Sequence, residues 1–167
     1  MENTNYVEYL IGLAKSGRAR AYFDLCEINL KNVYNVIYRL LTDKEQTEKI
    51  TLHTFTRAWE KIKNYNSEVI FSAWIKNLAI GYAIELLHRG EKKSHNKINK
   101  DTKITENELI ENLILELPLD DRIIFILHDL EGFKYQDIQK FFKEKAEDEI
   151  KSILVKSREN IMRKLPE

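Results

Sequence analysis

Residues 71–89 read FSAWIKNLAIGYAIELLHR and carry the clearest helical pattern of the chain. Apolar side chains recur there every three or four residues, at Trp74, Ile75, Leu78, Ala79, Tyr82, Leu86 and Leu87. This spacing places them on one wide face of an α-helix. The stretch therefore predicts a long helix that buries one side against neighbouring segments.

The residues before this helix also have helical spacing. Tyr6, Tyr9, Leu10 and Leu13 predict a first helix over about residues 6–14. A second helix is expected over about 19–41, with Tyr22 and Phe23 among its apolar positions. Thr42 or Asp43 can cap a third helix that ends near residue 61. Four helices are therefore predicted for a first domain, residues 1–90.

Residues 90–105 read GEKKSHNKINKDTKIT and contain only two apolar side chains in sixteen. Such a segment cannot bury much surface, so we expect a flexible linker over residues 91–105. The charge balance changes sign at the same place. Residues 1–100 hold 16 basic and 11 acidic side chains, and residues 101–167 hold 11 and 16. A basic first half is suited to approach a polyanion.

The second half predicts a smaller helical domain, residues 106–167. Helices are expected over 106–117, from Pro118 to about 130, over 135–143 and over 148–165. The last three have the lengths and tight connections of a helix-turn-helix module. Five glycines and two prolines in 167 residues favour an all-α fold over a turn-rich β protein.

The composition also bears on the classes of function. The single cysteine, Cys26, excludes an internal disulfide and is predicted to be a buried thiol. No histidine pairs with a second ligand in a metal motif, no nucleophile has a base nearby in sequence, and no glycine loop cradles a phosphate. We expect no metal, no cofactor and no enzyme activity. No apolar run reaches the ~18 residues that span a membrane, and the first ten residues do not resemble a signal peptide. We therefore expect no membrane insertion and a cytoplasmic protein.

Several phrases, taken together, resemble the sigma-70 family of RNA polymerase sigma factors, in its extracytoplasmic-function class. FTRAW at 55–59 and the 71–89 helix are similar to sigma region 2. LELPLDDRIIFILHDLEGFKYQDI at 115–138 is similar to sigma region 4, and residues 150–165 to its recognition helix. The resemblance implies a region 2 domain joined by a linker to a helix-turn-helix region 4 domain.

That resemblance implies three partners: core RNA polymerase, promoter DNA and an anti-sigma protein that clamps the two domains. In the family, the helix before FTRAW docks on polymerase. The corresponding polymerase-binding candidates in this chain are Asp43, Glu45, Glu48, Lys49, Leu52, His53 and Thr56.

Promoter opening requires side chains that hold unstacked bases and attract phosphates. In the family, the loop before the Trp74 helix captures a flipped base, so Tyr65 is a candidate stacking group. The DNA-binding candidates of the first domain are Lys61, Lys63, Asn64, Tyr65, Asn66, Lys76, Asn77 and Arg89. The alternative is that Trp59 and Trp74 are core residues and that the lysines are ordinary solvated surface.

The second domain is expected to read duplex DNA in the major groove with its last helix. The candidates are Lys151, Ser152, Lys156 and Arg158. The alternative is an ordinary amphipathic helix of mixed charge.

Three features depart from the family pattern. Lys49 and Leu52 stand where an aspartate and a glutamine are usual, and Ile80-Gly81 stands where an Arg-Asn pair is usual. Residues 143–146, KEKA, replace a glycine-containing turn. These departures motivate an alternative function, a sigma-like regulatory or interaction protein that has lost ordinary promoter recognition.

Overall fold

The computed structural model describes residues 2–90 and 106–166, and in both ranges the regular secondary structure is helical. The chain divides into two compact units, residues 1–91 and residues 92–167. The predicted all-α class is confirmed. The predicted linker, residues 91–105, lies outside the described residues. Within the described ranges, no helix combines the length and apolar character that crossing a bilayer requires.

The first unit consists of four α-helices in which the second is central. They are α1 (Glu2–Lys15), α2 (Ala19–Leu41), α3 (Lys44–Lys61) and α4 (Phe71–Gly90), with a short 3-10 turn at Ile62–Asn64. α2 packs against α1, α3 and α4. The core therefore lies around α2, and α3 and α4 each keep one side toward solvent.

Left-handed residues and one side-chain cap set the helix boundaries. Gly17 has a φ of 91°, which lets the Arg18 N–H return to the Leu13 carbonyl at 3.1 Å. Thr42 is also left-handed and ends α2. Asp43 then begins α3 by accepting a hydrogen bond from the Gln46 N–H at 2.8 Å. Of the two predicted cap candidates, Thr42 and Asp43, Asp43 is the one that caps α3.

Some aromatic residues that were predicted to face inward are exposed. Tyr6 is 49% exposed, Tyr9 63% and Phe23 64%. α1 instead buries Leu10, Ile11 and, one turn on, Ala14, which turns its tyrosines toward solvent. Helical spacing alone was therefore an insufficient guide to which side of α1 packs.

Cys26 is half-buried in α2, and burial raises the pKa of its thiol to about 11. The thiol is therefore protonated at neutral pH and is a poor nucleophile.

The second unit contains three short helices and one long one, α8. They are α5 (Glu106–Leu115), α6 (Leu119–Phe125), α7 (Tyr135–Gln139) and α8 (Glu147–Lys164), and α6 continues into a π-helical turn at Ile126–Leu130. The prediction of a helix over 135–143 is wrong at its end, because α7 stops at Gln139. Phe142 lies beyond that end, and its side chain is buried in the core at 1% exposure.

α8 closes the core of this unit. Its buried residues recur at positions 150, 154, 157 and 161 and face α6 and α7. Two ion pairs add to this packing: Lys164 Nζ lies 2.7 Å from Glu116, and Lys145 Nζ lies 3.1 Å from Asp120. The side of α8 opposite the buried positions remains in solvent.

Candidate protein and nucleic-acid interfaces

The predicted polymerase-binding residues of α3 form one continuous exposed face. Their spacing of three and four residues repeats for three helical turns, while Thr47, Thr51, Thr54, Phe55 and Ala58 are buried on the other side. We call this face the α3 stripe; it consists of Glu45, Glu48, Lys49, Leu52, His53 and Thr56, all exposed. Asp43, the remaining candidate, caps the helix at its start.

The charges of the α3 stripe are paired within the helix. Lys49 Nζ lies 2.6 Å from Glu45, and Lys44 Nζ lies 4.0 Å from Glu48. The hydrogen bond from Lys49 to Glu45 raises the pKa of the Lys49 amine. Lys49 therefore does not present an isolated positive charge where an aspartate was expected. Leu52, 71% exposed, is the most exposed apolar side chain of the stripe.

The loop before α4 does not present Tyr65 to solvent. Tyr65 is 6% exposed, and its ring packs against Phe71 and Trp74 with centroids 5.6 Å and 5.1 Å away. Its hydroxyl donates a hydrogen bond to the Val69 carbonyl at 2.6 Å. A base cannot stack on this ring in the observed conformation. The prediction of Tyr65 as a stacking group is therefore corrected: its ring belongs to the core and its hydroxyl shapes the loop.

The other candidates near this loop are available to a ligand. Lys61, Lys63, Asn64 and Asn66 are all exposed at the end of α3 and the start of the loop. α1 adds a cation that the sequence reading missed, because the Lys15 amine lies 5.4 Å from the centre of the Tyr65 ring. Only the tertiary packing of α1 on the 3-10 turn reveals it.

The candidates on α4 are spread along the helix. Lys76 and Asn77 lie half-buried in its second turn, near the loop. Arg89 lies 18 residues after Phe71, which is about 27 Å along a helix. Its guanidinium pairs with Glu85 on its own helix. The structure therefore does not bring Arg89 to the loop.

Ile80 and Gly81, which stand where the family has a polar pair, lie in different surroundings. Ile80 is 0% exposed and belongs to the core of the first unit. A side chain added at Gly81 would meet nothing within 4 Å. This departure from the family pattern is therefore a change in packing at position 80, together with the absence of a side chain from the half-buried surface of α4 at position 81.

The connection between α7 and α8 forms without a left-handed residue. In the described part of the chain, positive φ angles occur at Gly17, Thr42 and Gly132, none of them between α7 and α8. The Gln139 amide donates a hydrogen bond to the Lys145 carbonyl at 3.1 Å, and Phe142 anchors the turn in the core. These contacts fix the turn between α7 and α8 in place of a left-handed glycine.

Two basic candidates of α8 are held by carboxylates. Arg158 donates two hydrogen bonds to Asp129, from Nε at 2.8 Å and from Nη2 at 2.5 Å. Lys151 lies 2.9 Å from Glu147 and 3.3 Å from Asp148. The predicted DNA contact by Arg158 would have to break a bidentate pair, so the geometry favours a structural role for this residue.

The remaining candidates, Ser152 and Lys156, are exposed. Val155 lies beside them on the outward side of α8 and is 51% exposed. Val155 was not among the candidates predicted from the sequence, which were all polar or charged.

Two family models match the chain, in the order expected. The model described as Sigma-70 region 2 matches residues 25–93, and the model described as Sigma-70, region 4 matches residues 107–143. The second match ends before α8, so the sequence of α8 is outside it.

Two relatives carry sigma-factor names. ECF RNA polymerase sigma factor SigW of Bacillus subtilis is 27% identical over 75 residues, which are 45% of this chain and 40% of SigW. RNA polymerase sigma-H factor of Pseudomonas aeruginosa is 23% identical over 154 residues, 78% of this chain and 79% of that protein.

Two solved structures share the fold. The sigma factor RpoE from Bartonella quintana, in complex with the anti-sigma factor NepR, gives a TM-score of 0.64 at 17% identity, covering 85% of this chain and 94% of RpoE. CnrH, in complex with the cytosolic domain of CnrY, gives 0.65 at 14% identity, covering 95% and 96%.

Proposed function

Because the chain belongs to the sigma-70 family of RNA polymerase sigma factors, in its extracytoplasmic-function type, we propose that it directs core RNA polymerase to promoters and helps to open the DNA there. One observation carries this proposal: region 2 and region 4 both match, in order, within one chain. A protein of this kind acts by binding, so we assign it no catalytic reaction. We place it in the cytoplasm, where bacterial RNA polymerase works.

The first step, docking on polymerase, is assigned to the α3 stripe. Opposite charges stand side by side on its surface, Lys49 with Glu45 and Lys44 with Glu48, so these four residues together present no net charge to a partner. Leu52 offers apolar surface at the centre of the stripe, and central apolar anchors carry much of the binding energy in protein interfaces. Docking through Leu52 should therefore depend only weakly on salt.

The second step, capture of unpaired DNA, is assigned to the loop and its surroundings. Asn64 and Asn66 can donate and accept hydrogen bonds at base edges. Lys15, Lys61 and Lys63 supply phosphate attraction nearby. Tyr65 holds the loop in its conformation, through the hydrogen bond that its hydroxyl donates to the Val69 carbonyl.

The third step, contact with the duplex upstream, is assigned to the helix-turn-helix unit, with Ser152 and Lys156 as its contacts on α8. We also propose a protein partner of the anti-sigma kind, because RpoE was solved in complex with the anti-sigma factor NepR. Such a partner would suppress transcription by competing with core polymerase.

The alternative, a sigma-like protein without promoter recognition, is not favoured. Several of the departures that motivated it have a structural explanation: Lys49 is paired with Glu45, Ile80 is core, and the turn after α7 closes without glycine.

Run-off transcription tests the proposal. Purified core polymerase and a library of bacterial promoter fragments are combined with and without the chain, and the transcripts are sequenced. We expect discrete start sites that depend on the chain. Transcripts that are the same with and without it would overturn the proposal.

The docking step has its own variant, Leu52→Ser, with Leu30→Ser as a matched control on α2 at 48% exposure. Leu52→Ser should weaken binding to core polymerase by about 1–2 kcal/mol, measured by titration of labelled protein. Both variants should change the free energy of unfolding by less than about 0.5 kcal/mol, because both side chains are exposed. Equal effects of the two variants on binding would remove the α3 stripe from the docking site.

A further inference from the structure

The outward face of α8 has a chemistry of its own. Buried positions 150, 154, 157 and 161 fix the inward side, so positions 148, 152, 155 and 159 lie opposite. These outward residues are Asp148, Ser152, Val155 and Glu159, all exposed. Lys156 flanks them. Lys151 and Arg158, which the sequence predicts as further DNA contacts, form ion pairs with Glu147 and Asp129.

Two outward side chains in the first half of α8, those of Asp148 and Val155, have a definite preference in the major groove. A carboxylate accepts a hydrogen bond from an exocyclic amino group, as on cytosine N4, and an apolar side chain contacts the 5-methyl group of thymine. The Asp148 side chain is 94% exposed, so its second oxygen remains available despite its 3.3 Å contact with Lys151. Val155 is 51% exposed and offers two methyl groups.

The spacing of these two residues matches the spacing of bases. Asp148 and Val155 are seven residues apart, which is about 10 Å along a helix. Successive bases along a strand are about 3.4 Å apart. A helix lying along the groove would therefore place the two side chains about three base pairs apart.

We propose that α8 reads the upstream promoter element with Asp148 and Val155, through an exocyclic amino group and, about three base pairs away, the methyl group of a thymine. This proposal rests on the proposed function, because it needs a promoter to which the chain directs polymerase. Ser152, between them, reads either kind of edge, and Lys156 adds phosphate attraction.

The test uses the chain with core polymerase and duplex DNA. A library with a randomised upstream element is first selected for binding. Each thymine of the selected element is then replaced by deoxyuridine, which removes only the methyl group. We expect one replacement to weaken binding about fourfold, the effect of one buried methyl group.

Variants of α8 identify the side chain responsible. Val155→Ala should abolish the difference between thymine and deoxyuridine at that position, and Val155→Thr, which keeps one methyl group, should retain most of it. Met162→Ala is the matched control, since Met162 is exposed two turns further along and should leave the difference intact. Asp148→Asn should change the preferred base at one position, about three base pairs from the thymine that Val155 contacts.

Two outcomes separate this inference from the proposed function. If the chain selects no DNA with core polymerase, the proposed function fails and the inference fails with it. If it selects a defined element but no thymine methyl group affects binding, or Val155→Ala leaves the methyl effect unchanged, the inference alone is overturned.

Discussion

The pair between Arg158 and Asp129 gives a sharp test of how the second unit is held together. Two hydrogen bonds from Arg158 join α8 to the π-helical turn that follows α6. The sequence reading had placed Arg158 on DNA. We predict instead that Arg158→Ala lowers the free energy of unfolding of the second unit.

The expected size follows from the exposure of the pair. The Asp129 side chain is 19% exposed and the Arg158 side chain 44%. A buried hydrogen bond to a charged group contributes about 1.5–3 kcal/mol, whereas an exposed ion pair contributes about 0–1 kcal/mol. The pair lies between these cases, so we expect Arg158→Ala to cost about 1–2 kcal/mol.

Urea unfolding of the full chain measures this cost, with two signals recorded together. Both tryptophans, Trp59 and Trp74, lie in the first unit, so their fluorescence reports on that unit. Circular dichroism reports on the helices of both units. Unfolding of the second unit should therefore change the circular dichroism without changing the tryptophan fluorescence. Arg158→Ala should lower the urea concentration at the midpoint of that transition. Arg163→Ala is the control, because Arg163 lies 4.0 Å from Glu159 on the surface of the same helix.

The same pair should be sensitive to acid. The hydrogen bond from Arg158, with a smaller contribution from His128, lowers the pKa of the Asp129 carboxyl. A lowered pKa in the folded state means that the stabilisation is fully present above the unfolded value of about 3.9 and is lost as the pH falls through the folded value. The acid-induced loss of stability should therefore be smaller in Arg158→Ala. If Arg158→Ala behaves like Arg163→Ala in urea and instead weakens binding to promoter DNA, the structural role is wrong.

Three further changes have expected outcomes, each read by urea unfolding. Gly81→Ala should stabilise the first unit by about 0.5–1 kcal/mol, since α4 gains helix propensity and a side chain there meets no neighbour. Gly17→Ala should destabilise the same unit, because Gly17 has a positive φ. A change of the same sign in both variants would refute this reasoning. Tyr65→Phe should cost about 1 kcal/mol through the lost hydrogen bond to Val69 and should shift the tryptophan signal; an unchanged midpoint would show that this bond contributes nothing. Phe142→Ala should cost about 3–5 kcal/mol in the second unit and leave the tryptophan signal unchanged, and a small cost would contradict the anchoring of the turn.

Local signals in the sequence predicted much of the fold. α2 runs over Ala19–Leu41, as its periodicity indicated, and Asp43 caps α3 through its own side chain. Such features depend on neighbours within one or two turns, which a sequence displays directly. The exposure of the α3 stripe follows from the helical period in the same way, whereas its role as a docking candidate comes from the family resemblance.

Features set by contacts between distant residues were not predictable. Tyr65 reads as a loop residue, and only the packing of its ring on Trp74 places it in the core. Arg158 reads as a free cation, and its partner Asp129 lies 29 residues away. Lys15 gains a place beside the loop through the packing of α1. In each case a tertiary contact changes the role of a residue whose local sequence is uninformative.

Permanganate footprinting tests the central claim most directly, because permanganate oxidises thymines that have left the duplex. A promoter obtained by run-off transcription is incubated with core polymerase, with the chain, and with both. The account predicts reactive thymines near the start site only when both proteins are present. Thymines that stay unreactive with both proteins, on DNA from which transcripts were obtained, would contradict the claim that this chain helps polymerase to open promoters.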